Sequence, residues 1–218
     1  MPRKPRLEYP GAVYHLTARG IRQIAIFVDD HDRGTLLRIL VHALRAFEAQ
    51  VFAFCLMGNH YHLVLQTHRA NLSALMHDVN SRYSMGFNQR HTRRGHVLEG
   101  RFKALHVDRD AYLLQVCRYV ELNPVRASLV DSPARWRWSS YRAHAGSIPS
   151  PAWLATAELH GALTGRIPED DVQREDAQRR YAEWVDAGRE VRLWKESLRR
   201  GRYLGDEAFV ERLNEFRA

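Results

Sequence analysis

The sequence predicts an α+β sandwich, an antiparallel sheet with helices packed on it, followed by a small helical extension. Two observations carry that fold class. Segments with strand and helix character follow one another in the order strand, helix, strand, strand, helix, strand, helix. A Ser/Pro stretch, "SIPSPAW", then separates this region from a tail of amphipathic helical pieces. The boundary divides the chain into residues 1–147 and 148–218. With 218 residues, of which 45% are hydrophobic, the chain can build a real core.

Each element has a local reason. "GAVYHLTARG" has the β-branched and aromatic content of a strand and ends at Gly20, where a turn is easy. "DDHDRGTLLRILVHALRAFEAQ" offers aspartates for an N-cap, then Leu36, Leu37, Leu40, Leu44 and Phe47 at helical spacing. "VFAFCLM" and "HYHLVLQ" flank Gly58-Asn59, a pair that favours a tight hairpin, and the second of these strands is expected near the sheet centre. "LSALMHDVNSRYSMGFNQRH" carries a one-sided stripe of Leu72, Leu75, Met76, Val79, Tyr83 and Phe87, which makes Tyr83 and Phe87 core residues. A polar loop from His91 to Gly95 ends it. "RFKALHV" alternates as a strand does, which would put Arg101 and Lys103 on one face. "DAYLLQVCRYVEL" begins with Asp110 as an N-cap, and Asn123-Pro124 stops or kinks the helix. In the tail, "DVQREDAQRRYAEWVD" and "DEAFVERLNEF" are amphipathic helices.

Charge is divided unevenly. Residues 1–145 hold 21 Lys/Arg against 11 Asp/Glu, a net of +10, whereas residues 146–218 hold 12 against 14, a net of −2. A basic domain beside a near-neutral extension points to a polyanion partner for the first, nucleic acid foremost, although a solvated basic surface would have the same composition. No apolar run approaches the roughly 18 residues that span a bilayer, and "MPRKPRLEYP" lacks the apolar stretch of a secretory signal, so a cytoplasmic protein is expected. Cys55 and Cys117 are far apart in apolar segments, which indicates neither a disulfide framework nor a cysteine metal cluster, and both are expected in the core.

Chemistry concentrates in two segments. In "GNHYHLVL", His60 and His62 share a strand face with Cα atoms roughly 6.6 Å apart, within reach of one metal ion, while Tyr61 takes the other face. Taken alone, such a pair in a chain of 12 histidines is more readily a packing or hydrogen-bonding feature, so the spacing permits a metal site without requiring one. In "CRYVELNPVRA", Tyr119 and Asn123 stand four apart on one helix face. A phenol nucleophile and a neutral oxygen donor opposite a histidine pair would suit phosphoryl transfer. The bland reading makes Tyr119 a boundary aromatic and Asn123 a C-cap beside a proline. Tyr112 lies near the same helix face but has Val116 at the next turn and is expected to be structural. Trp136 and Trp138 are expected to pack.

"YHLTARG", "GNHYHLVL" and "EGRFKALHVDRDAYLLQVCRYVELNPVRA", in that order over roughly residues 8–145, resemble the single-tyrosine HUH transposases, the Y1 transposase family, and most of all the REP-associated tyrosine transposases. The resemblance implies a ferredoxin-like HUH sandwich, with His60, His62 and Asn123 binding Mg2+ or Mn2+ and Tyr119 attacking single-stranded DNA. It also implies a hairpin-forming DNA substrate, a 5′-phosphotyrosine intermediate with a free 3′-OH, and rejoining without ATP because the covalent link retains the phosphodiester energy. Family members include monomers and homodimers. One departure is Tyr61, where the family usually has an aliphatic residue; it should leave the opposite strand face packed. By residue chemistry alone, two imidazoles also suit zinc, and the preference for magnesium or manganese follows the resemblance. A catalytically silent DNA-hairpin-binding protein and a zinc hydrolase are the competing functions, and the intact Tyr119, His60, His62 and Asn123 argue against the first.

For DNA contact, the candidates are Arg101 and Lys103, the basic arm Arg3, Lys4 and Arg6 with its two prolines, and Arg82 beside Tyr83 and Phe87. An ordinary exposed strand face, a plain tail and a core helix face are the corresponding structural readings.

Overall fold

Strand β1 (Val13–Arg19) runs through the middle of the sheet, paired antiparallel on one side with β3 (His60–Thr67) and on the other with β4 (Lys103–Val107). The computed structural model describes residues 6–191, 198–199 and 203–216. Strand β2 (Ala49–Leu56) pairs antiparallel with β3, and the chain turns between them at Gly58-Asn59, where the Met57 N–H donates to the His60 carbonyl at 2.9 Å. A bulge at Phe52 breaks the β2 register, so Phe52 and Ala53 both enter the same core.

The two sheet faces are covered by different helices. On one face lie α1 (Asp30–Ala46) and α2 (Leu72–Arg90), packed on each other and on the sheet. Asp29 caps α1 by accepting from the Asp32 N–H. Leu36, Leu40, Leu75, Met76, Tyr83 and Phe87 are buried there against Leu16, Leu63 and Leu65, each large side chain stabilising the fold by about 1.5–3 kcal/mol. Tyr61, the departure from the family pattern, is fully buried on this face and donates its hydroxyl to Asn80.

The other face receives α3 (Arg109–Glu121), α4 (Asn123–Arg126), α5 (Tyr141–His144), α6 (Thr156–Thr164) and α7 (Asp171–Asp186). The N-cap of α3 is Asp108, whose carboxylate accepts from the Asp110 and Ala111 N–H groups, so the cap lies two residues before the expected Asp110. The helix starts correspondingly earlier, at Arg109, because Asp108 immediately follows the strand and can turn the chain at once. Asn123-Pro124 bends the chain instead of stopping it: Leu122 keeps a right-handed helical backbone, and Pro124 sits in the first turn of α4, where its missing N–H has no partner to lose. Arg101 lies in a bend ahead of β4, which begins only at Lys103, because Gly100 takes a positive φ and turns the chain just before it.

The extension is helical, as expected, with α8 (Glu207–Glu215) capped by Asp206. It also adds what periodicity did not predict, two 2-residue strands, β5 (Leu198–Arg199) and β6 (Tyr203–Leu204). Strand β6 pairs parallel with β4, completing the order β2-β3-β1-β4-β6-β5. Among the described residues no helix is long and apolar enough to cross a membrane.

Candidate functional site

Strand alternation puts His15, Thr17 and Arg19 of β1 on the α3 face of the sheet, and the β1/β3 register sets Thr17 opposite His62 and Arg19 opposite His60. The result is a row of polar side chains on a face whose neighbours Val13, Val64 and Val107 are apolar core. His60 and His62 meet at 5.0 Å between ring centroids, edge to face. Tyr119 arrives from α3 with its ring 6.2 Å from His62 and 6.0 Å from His15, edge-on to both. Three of the four residues expected to act together are thus gathered on one spot. Asn123 follows one turn after Tyr119 and donates its amide nitrogen to the Tyr119 carbonyl at 2.9 Å. Its side chain thus serves the carbonyl end of α3, but the C-cap position is Leu122 and Asn123 itself opens α4, while its amide oxygen keeps acceptor chemistry.

The hydrogen bonds orient both histidines. His60 Nδ1 lies 2.7 Å from the Asn59 side-chain oxygen, which can only accept, so the proton sits on Nδ1 and the lone pair on Nε2. His62 Nδ1 lies 2.9 Å from His15 Nε2 and 3.2 Å from the Thr17 hydroxyl. With Nδ1 engaged in both rings, Nε2 is the nitrogen left for a further partner in each, and such second contacts are the kind that orient metal-binding histidines. Burial pushes His60 and His15 down to about 4, with Arg19 adding to the effect on His60, and holds His62 well below the usual histidine range. Neutral imidazoles are the form that binds a metal. No group of three or more His, Cys, Asp or Glu side chains that could hold a metal occurs among the described residues.

Beside this row lies a cleft of about 640 Å3, lined by Thr17, Arg19, Arg101, Lys103, Arg6 and Phe102 among others. Lys103 faces the histidines' side of the sheet, paired across from Thr17. Arg6 stacks over the Phe102 ring at 3.8 Å and donates to the Phe102 carbonyl. Arg82 stands apart, paired with Asp78 on α2 at 2.8 Å. Arg3 and Lys4 lie outside the described residues. Tyr83 and Phe87 are core, Trp136 and Trp138 pack against the cores, and both cysteines are buried.

Sequence reasoning missed His15, Thr17, Arg19 and Asn59. "YHLTARG" contains three of them at alternate positions, so the signal was present, but only the pairing of β1 with β3 shows that they face His60 and His62. Gly20 ends that strand for a steric reason: a Cβ there would collide with the Ile24 carbonyl, and its N–H donates to the Asn59 carbonyl at 2.8 Å, holding the loop that carries Asn59.

Comparison with known proteins agrees with the fold. The family model "Transposase IS200 like" matches residues 9–123. The structure of a REP-associated tyrosine transposase bound to a REP hairpin aligns with a TM-score of 0.57 at 14% identity, covering 71% of this chain and 92% of the other, and so shares the fold. A Deinococcus radiodurans R1 chain described as a transposase (22% identity, 55% of this chain and 96% of the other, TM-score 0.38) and the Saccharomyces cerevisiae tRNA(His) guanylyltransferase (9%, 80% and 79%, 0.41) align too loosely to carry an argument. No match to the sequence is found among curated proteins.

Proposed function

The chain belongs to the IS200-like, or Y1, transposase family, and on that premise we propose that it cleaves and rejoins single-stranded DNA beside a hairpin through a 5′-phosphotyrosine on Tyr119. The observation that carries the reading is the meeting of Tyr119 with a pair of oriented, neutral histidines on one sheet face. The hairpin in the REP-associated relative supports the choice of substrate.

In this reading the Tyr119 hydroxyl oxygen attacks the scissile phosphorus and the bond from phosphorus to the 3′ oxygen breaks; the phenolic proton passes to solvent water and the leaving 3′ oxygen takes one from solvent, so the exchange is balanced. A free tyrosine, with a pKa of about 10, is protonated at neutral pH, so the attack needs a strong electrophile. Mg2+ or Mn2+ held by His60, His62 and Asn123 would polarise the phosphate and stabilise charge on the leaving oxygen. Asn59 and His15 keep the two ligand imidazoles in the right tautomer and orientation. Arg6, Arg19, Arg101 and Lys103 line the cleft through which the phosphate backbone would run. Rejoining is the reverse step, in which a second 3′-OH attacks the phosphotyrosine and frees the phenol.

The test is a denaturing-gel assay of the wild type and Tyr119→Phe on single-stranded hairpins taken from the flanks of the gene, with Mg2+, Mn2+ or EDTA. A metal-dependent covalent adduct that vanishes in the variant is expected. Tight hairpin binding with no adduct under any metal would make this a binding-only protein, and an adduct surviving in Tyr119→Phe would assign the wrong nucleophile.

A further inference from the structure

Helix α7 and the turn that ends it touch the segment that carries Tyr119 at three points, and the three bracket that residue. One position before it, Arg118 lays its guanidinium over the Trp184 ring at 3.9 Å and donates to the Trp184 carbonyl at 3.3 Å. Two positions after it, the fully buried Glu121 accepts from the Tyr181 hydroxyl at 2.9 Å. The same carboxylate also accepts from His144 Nδ1 at 2.7 Å and from the Ser140 hydroxyl, so both of its oxygens are engaged. Further along, Arg126 donates to the carbonyls of Val191 at 2.9 Å and Gly188 at 3.3 Å, just beyond the end of α7.

Arg126 also reaches back to the candidate nucleophile. Its guanidinium carbon lies 5.0 Å from the centroid of the Tyr119 ring, and its other nitrogen is 3.5 Å from the Tyr119 carbonyl. A planar guanidinium held at both ends restricts the ring it faces. The α7 terminus is shaped for this role. At the negative end of its dipole the Glu183, Val185 and Asp186 carbonyls accept from the Ala187, Gly188 and Arg189 N–H groups, the Trp184 carbonyl accepts from Arg118, and Arg126 fastens the turn that follows. At Gly188 a Cβ would overlap the Arg118 side chain, so a residue without one lets the α7 terminus close on that arginine.

We propose that α7 is a brace for Tyr119, with Arg126 as the positioning residue that fixes the phenol ring and Arg118 and Glu121 as its anchors along α3. The proposal rests on the reading of Tyr119 as nucleophile. It gives the extension a place in the reaction, since the family match ends at residue 123 and both Arg126 and α7 lie beyond it. Positioning is a sufficient reason for such a brace, because a displacement of about 1 Å at a reacting group can cost about a hundredfold in rate.

The test uses the full-length chain labelled with 3-fluorotyrosine. The Tyr119 signal among the nine tyrosines is assigned by its loss in Tyr119→Phe. In Arg126→Gln, the Tyr119 19F resonance should shift or broaden, and single-turnover adduct formation on hairpin DNA should slow by about 10- to 100-fold. The hairpin Kd should stay within about threefold, a split that general destabilisation measured well below the melting temperature would not give. Arg126→Lys keeps the charge without the fork and should fall between. Tyr181→Phe removes one hydroxyl at the far anchor and should slow the adduct several-fold with Kd unchanged; it carries the test if Arg126→Gln does not fold. An unmoved resonance, or adduct rates within about twofold of wild type in all three variants, overturns the brace. A wild type that forms no adduct overturns the cleavage reading separately, and the resonance then decides whether α7 sets the ring.

Discussion

The two faces of the sheet are built from alternate residues of the same strands, yet they are made of different material. Toward α1 and α2 the strands send Leu16, Leu63 and Leu65 into an apolar layer, and the polar cluster there, Asp32 with Arg90 and His91, is supplied by the helices and the end of α2 and not by the strands. Toward α3 they send His15, Thr17, His60 and His62, and behind these lies the buried carboxylate of Glu121 with its three donors. Burying polar groups is costly unless each finds a partner, and a fully partnered set admits one arrangement where an apolar layer tolerates several. Both faces carry an apolar core, and the α3 face adds to its own a polar layer that sets geometry. A strand period of two allows one segment to serve both.

The sharpest way to break this division is to exchange its consequences. His62→Ala should lower strand cleavage by about a thousandfold, matching about 4 kcal/mol of lost charge stabilisation, while the melting temperature moves by only a few degrees. Leu40→Ala, on the opposite face, should cost about 2–5 kcal/mol in urea unfolding and leave the cleavage rate per folded molecule unchanged. If either substitution produced the other's result, the faces would not be separable.

Acid should act through the α3 face. His15 and His60 are held at about 4 in the folded chain, against about 6.5 for an unperturbed histidine, so the unfolded chain binds protons first as pH falls. Stability is therefore full above about pH 6.5 and declines as pH drops toward 4, and the buried His15 alone contributes about 2 kcal/mol of that loss by about pH 5. The urea midpoint measured from about pH 7 to about pH 5 checks this, and His15→Leu should flatten the slope. The smallest effect is expected at Asp108→Ala, which removes the α3 cap and should cost about 1 kcal/mol in the same unfolding assay.

Much of this was legible because the signals are local. Helical spacing of Leu72, Leu75, Met76, Val79, Tyr83 and Phe87 defines the buried stripe of α2, and Gly58-Asn59 marks the hairpin that presents His60 and His62. Tyr119, His60 and His62 could be chosen by motif. What escaped depends on partners distant in sequence. His15 becomes part of the site only through the β1/β3 register, and Glu121, in a helix end that looks polar and exposed, is buried by Ser140, His144 and Tyr181 arriving from up to 60 residues away. Strand β6, two residues long, has no periodicity to detect and exists because β4 offers it an edge.

The outer edge of β2 has a consequence for self-association. A bare strand edge is a template for another chain, and here loops of the same chain occupy it. Leu56 donates to the Trp138 carbonyl at 2.8 Å, Phe54 exchanges hydrogen bonds with Ser140, and Val51 accepts from Ala155 at 2.8 Å. Growth of the sheet from one molecule into the next across β2 would first have to strip away these bonds, so a pair of molecules joining there would lose as many backbone partners as it gained. The chain has closed this edge in advance, so sheet growth from one molecule into the next would have to begin elsewhere than β2.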